Sequence, residues 1–99
     1  MTNRLEWLDG VLSSYFASPA ATVPQTSTYF LDMLDSLPVR PATWDRLPRP
    51  QRFTTINNRL KWWFQQGWLA KGPKVPNANG VPSNTWVRRD VAKSLVMVL

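Results

Sequence analysis

The chain contains no cysteine and no histidine. The first absence excludes disulfides and thiolate nucleophiles. Both together exclude Cys/His zinc sites, imidazole acid–base catalysis and a histidine pH switch. A cysteine-free chain suits a reducing compartment. No apolar run approaches the roughly 20 residues needed to span a bilayer. The polar opening Thr2-Asn3-Arg4 lacks the apolar core of a signal peptide. We therefore expect a cytoplasmic protein with no membrane and no metal partner. Acids are also scarce, namely Glu6, Asp9, Asp32, Asp35, Asp45 and Asp90, and none falls in a catalytic motif. No glycine-rich phosphate loop is present. The expectation is a protein that is not an enzyme and uses no cofactor.

What is present is tryptophan and positive charge. At 99 residues the chain has room for one domain spanning 1–99. Its six tryptophans can bury much apolar area with few side chains. Residues 1–37 hold one base against four acids, whereas residues 38–99 hold eleven bases against two, giving +6 overall. A slightly acidic first third followed by a strongly basic remainder points to a polyanionic partner on one side.

Hydrophobic spacing predicts a helix over 4–16, with Leu5, Leu8, Leu12 and Tyr15 or Phe16 on one stripe and an Asn3–Glu6 capping box. Residues 17–25 read as a linker. A second helix is expected over 27–37, capped by Thr26 or Ser27 and stopped by Pro38. Residues 41–47 suit a short helix, after which Pro48 and Pro50 are expected to force a break. The strongest pattern lies at 53–66, where Phe53, Ile56, Leu60, Trp63 and Phe64 share a face. Gly67 then stands where a C-terminal cap belongs. Residues 68–71 and 84–89 read as two strands of a hairpin, with a turn near Asn79-Gly80 and a loose, proline-rich tip. Residues 90–99 are open between helix and strand.

This order of helix, short helix, long helix, glycine, strand, basic loop and strand resembles the winged helix-turn-helix family over residues 27–89. The resemblance is carried by Thr54-Thr55-Ile56-Asn57-Asn58-Arg59-Leu60-Lys61-Trp62-Trp63-Phe64-Gln65-Gln66-Gly67-Trp68-Leu69. In many members a polar helix start, Arg-Leu, and Gln-Gly before two apolar residues mark the passage into the wing. Two departures are the prolines before the third helix and the lack of an obvious first strand. The fold expected is mainly α (α+β), a three-helix core with a C-terminal hairpin wing and an extra N-terminal helix at 1–16.

The resemblance implies that 53–66 is a recognition helix binding double-stranded DNA. Thr54, Thr55, Asn58 and Arg59 would face bases, Asn pairing with adenine and Arg with guanine. Lys61 would hold phosphate, and Trp62 completes the outward face. Arg46, Arg49 and Arg52 before the helix, and Lys71, Lys74, Arg88 and Arg89 on the wing, would flank it on the phosphate backbone. Trp62 either packs under the N-terminal helix or the C-terminal tail, or stacks on a nucleotide or partner. The other tryptophans are expected in the core or hairpin. Small size without an accessory domain points to a transcriptional regulator or architectural protein of a phage or other mobile element. A homodimer through residues 1–16 and 91–99 is a further expectation. Two rival readings stand beside DNA binding. One is a protein–protein interaction module on the same scaffold, and the other is RNA or single-strand binding on aromatic platforms.

Overall fold

The computed structural model describes residues 4–91. The Asn3 cap and the tail at 92–99, with that part of the expected dimer surface, lie outside the described residues. Helix α1 (Arg4–Phe16) buries Leu8, Leu12 and Phe16, which recur four apart and so share one face. Leu5, expected on that stripe, is largely exposed. A 3-10 turn at Pro19–Thr22 leads into β1 (Gln25–Thr26), a strand inside the segment expected to be a linker. Helix α2 (Ser27–Asp35) follows at once, the Thr26 hydroxyl accepting the Tyr29 N–H at 3.2 Å. The short α3 (Ala42–Asp45) starts after Pro41 and buries Trp44.

Helix α4 runs from Arg49 to Gln65, starting four residues earlier than the hydrophobic pattern predicts. Pro50 does not break it. The first helical N–H groups have no intrahelical partner, so a proline in the first turn costs no hydrogen bond. The helix ends in a Schellman motif. The Gly67 N–H donates to the Phe64 carbonyl and the Trp68 N–H to the Trp63 carbonyl, with Gly67 at φ +83°. The apolar contact typical of that motif is made by Trp68 against Trp63, ring centroids 5.5 Å apart.

The chain then forms β2 (Leu69–Lys71), β3 (Val75–Pro76), β4 (Pro82–Ser83) and β5 (Thr85–Arg88). A three-stranded antiparallel sheet has the order β1-β5-β2, with Gln25 opposite Trp86 and Leu69 opposite Arg88. Thr85, Trp86 and Val87 are all buried, so the central strand is covered on both faces. Strands β3 and β4 form a separate two-residue ladder. Its tip is tied rather than loose: the Asn77 side-chain oxygen accepts the N–H groups of Asn79 and Val81 at 2.9 and 3.0 Å.

The core gathers Leu8, Leu12, Phe30, Leu34, Trp44, Ile56, Leu60 and Trp86, joining all the longer helices to the sheet. The N-terminal helix is thus an integral wall of this core. One polar chain crosses it: the Trp86 indole donates to the Ser27 hydroxyl at 3.0 Å, which donates to Asn57 Oδ1 at 2.8 Å. That relay fixes α2, α4 and β5 relative to one another.

Candidate nucleic-acid interface

At about 3.6 residues per turn, Gln51, Thr54, Asn58, Lys61 and Gln65 lie along one ridge of α4, opposite Ile56, Leu60 and Trp63. All five are exposed and all three opposing side chains are buried. Of the residues expected to face bases, Thr54 and Asn58 are on this ridge, together with Lys61, expected to hold phosphate. Thr54 and Thr55 donate their hydroxyl protons back to the carbonyls of Pro50 and Gln51 at 3.0 and 2.8 Å. Their hydroxyl lone pairs stay available as acceptors. Gln51 was missed because the expected helix began after it. Phe53 and Phe64, expected inside, flank the ridge and are over a third exposed.

Arg59 is not on the ridge. It turns toward α1, where Asp9 accepts its Nε and Nη2 in a bidentate pair at 2.7 and 2.5 Å. Asp9 also accepts the Trp63 indole N–H at 3.2 Å. The hydrogen bonds from Arg59 hold the Asp9 carboxyl below its ordinary value against the opposing effect of burial. Arg59 is raised, chiefly by the same hydrogen bonding. Arg59, expected to meet guanine, thus clasps α4 to α1 in this structure.

Most other arginines are engaged in the same way. Arg49 contacts Asp32 at 2.9 Å and Asp35 at 3.4 Å; Arg52 contacts Asp35 at 3.3 Å and the Leu47 carbonyl at 2.8 Å. Asp35 also accepts the Trp44 indole N–H. Arg40 pairs with Asp45, and Arg88 pairs with Asp90 while donating to the Phe16 carbonyl at 2.9 Å. Arg49, Arg52 and Arg88, expected as flanking cations, and Arg59, expected to face a base, are thus each paired with an aspartate. The pairs of Arg49, Arg52 and Arg59 form because acids of α1 and α2 face the bases of α4, a relation that only the tertiary arrangement creates.

Every aspartate is matched to an arginine, and the surplus charge falls on other side chains. Among the described residues, Arg4, Arg46, Lys61, Lys71, Lys74 and Arg89 have no carboxylate within ion-pair distance. Arg46 ends α3 just before α4. The Lys71 ammonium sits 5.2 Å from the Phe64 ring centre, which joins the base of the hairpin to the C-terminal half of the α4 ridge. Lys74 follows on the same hairpin. Of the cations the sequence singled out, Arg46, Lys61, Lys71, Lys74 and Arg89 are thus the ones without a carboxylate partner among the described residues.

Trp62 neither packs under α1 nor lies bare. It is 36% exposed, with the Arg59 guanidinium 4.0 Å from its ring centre and Trp68 edge-on at 5.4 Å. Trp68, expected in the core or hairpin, is 52% exposed. Together with Trp63, Asp9 and Ser13 these rings line an open cleft of about 490 Å³.

Among the described residues no three carboxylates, or other metal-ligating side chains, gather to hold a metal ion. No helix there is long and apolar enough to cross a membrane. Comparison with family models, curated proteins and solved structures finds no match to this chain.

Proposed function

We propose that this chain is a winged helix-turn-helix domain that binds double-stranded DNA, with α4 as recognition helix, in the role of a small transcriptional regulator or architectural protein. The observation that carries the reading is the exposed polar ridge Gln51-Thr54-Asn58-Lys61-Gln65 with Lys71 beside it on the Phe64 ring, Lys61 and Lys71 having no carboxylate partner among the described residues. A helix about to enter a major groove needs such a face: short hydrogen-bonding side chains for base edges, and cations beside them for phosphates. The fold reading is supported by β1, the strand that the sequence pattern lacked. It lies between α1 and α2 and closes the three-stranded sheet against β5.

In this arrangement Asn58 reads bases, and Lys61, Lys71, Lys74 and Arg46 hold phosphates. Fluorescence anisotropy with random duplex DNA at low and moderate salt tests it. Binding should weaken steeply as salt rises, since log K falls by about 0.9 per log unit of salt for each phosphate neutralised. Absence of duplex binding at low salt overturns the proposal. It would favour the protein-interaction reading, for which the exposed Trp62 and Trp68 are the specific support.

A further inference from the structure

We infer that the three-tryptophan cleft between α1 and α4 seats one unpaired nucleotide, its base against Trp62 and Trp68 and its phosphate on Arg89. The inference rests on the nucleic-acid reading of the chain but not on the duplex-binding ridge. The Schellman cap explains why an apolar residue follows Gly67, yet one packed face suffices for that purpose. Trp68 meets this need by its contact with Trp63 and still leaves half its surface in solvent, next to a second exposed indole. The cleft, about 490 Å³, is of a size that accepts a small planar ligand. Indole faces stack on any base, which makes such a seat tolerant of sequence.

The electrostatics suit an anion. The carboxylate of Asp9 in the cleft is covered by the bidentate guanidinium of Arg59. Arg89 donates its backbone N–H to the Trp68 carbonyl at 3.2 Å, and its guanidinium lies against Gly67. It does not line the cleft, but it has no ion-pair partner among the described residues, so next to Gly67 and Trp68 its charge is available for a phosphate. Ser13 at the rim contributes a hydroxyl free to meet a base edge. Trp62 follows Asn58 by one helical turn, so the cleft opens at the border of the ridge. A strand leaving a duplex there would run from one surface to the other.

The test compares a blunt duplex, the same duplex with a short single-stranded dT overhang, and a dT oligomer, read by anisotropy and tryptophan fluorescence. The overhang duplex should bind roughly tenfold tighter than the blunt one and quench fluorescence, as expected for one stacked base. Trp68→Leu, which keeps the apolar cap contact, should remove that preference and leave blunt-duplex affinity unchanged, and Arg89→Gln should lower affinity for the overhang duplex more than for the blunt one. Equal affinity for blunt and overhang duplexes overturns the inference and leaves duplex binding standing. Full preference in both variants overturns it too. Binding of the overhang or dT oligomer without binding of blunt duplex supports the cleft and overturns the ridge. Failure to bind any of the three overturns both.

Discussion

Asp9 of α1 and Arg59 of α4, fifty positions apart in the chain, meet through two nearly parallel hydrogen bonds, and the Arg59 guanidinium also covers one face of Trp62. The pair is mostly shielded from water, so losing one partner strands the other charge at a cost well beyond that of an exposed ion pair.

The pH response follows from this clasp. Asp9 is held below its ordinary value of 3.8, first by hydrogen bonding from Arg59 and further by the Trp63 indole. A lowered folded-state value means the unfolded chain takes up the proton first. The stabilisation is therefore complete above the unfolded value and disappears as pH falls through the folded one. Thermal melts should show Asp9→Asn less stable than wild type at neutral pH, with the two curves converging at pH below the ordinary aspartate value. Arg59→Ala should lower Tm and leave any sequence preference in DNA binding intact.

Salt dependence separates the two kinds of cation. Lys61→Ala and Lys71→Ala should each reduce the slope of log K against log salt by about 1. Arg49→Ala removes a cation already matched to Asp32 and Asp35, and should change the slope much less. Asn58→Ala should cost about 1–3 kcal/mol of discrimination between binding sites while altering the slope little. Anisotropy titrations on two duplex sequences over a salt series measure all four.

Ser27→Ala breaks the relay from Trp86 to Asn57. It leaves the Trp86 indole N–H, inside the core, without its acceptor. Denaturant unfolding should show a loss of about 1–3 kcal/mol. Ser27→Thr tests whether the hydroxyl or the small volume matters, and recovery of stability identifies the hydroxyl.

Gly67→Ala places a Cβ at φ +83° and within 3.2 Å of the Arg89 guanidinium. The left-handed conformation alone costs roughly 1–2 kcal/mol for a residue with a Cβ. A Tm decrease is the expected reading, and an unchanged Tm would mean the helix end has rearranged.

Local patterning made the long helices, the Gly67 cap and the outer hairpin strands legible, because each depends on residues a few positions apart. The start of α4 was not: Pro50 reads as a breaker unless the helix is known to begin just before it. Strand β1 was equally hidden, since two residues carry no periodicity and exist as a strand only through pairing with Trp86 and Thr85. Within the candidate site, Thr54, Asn58 and Lys61 were identified correctly as exposed, as their spacing opposite Ile56 and Leu60 requires. The ion pairs of Arg49, Arg52, Arg59 and Arg88 were not legible, because counting bases along a sequence does not reveal which acids fold against them. Trp68 was expected in the core or hairpin, yet its place is set by the helix cap, and it stays half exposed.

Only Gln66, Gly67 and Trp68 separate the last turn of α4 from β2, and two backbone hydrogen bonds lock that junction. Ridge and hairpin base consequently share one rigid frame with no hinge between them. A molecule that touches both at once meets a mould of set spacing, and the bending needed for a close fit falls to that molecule.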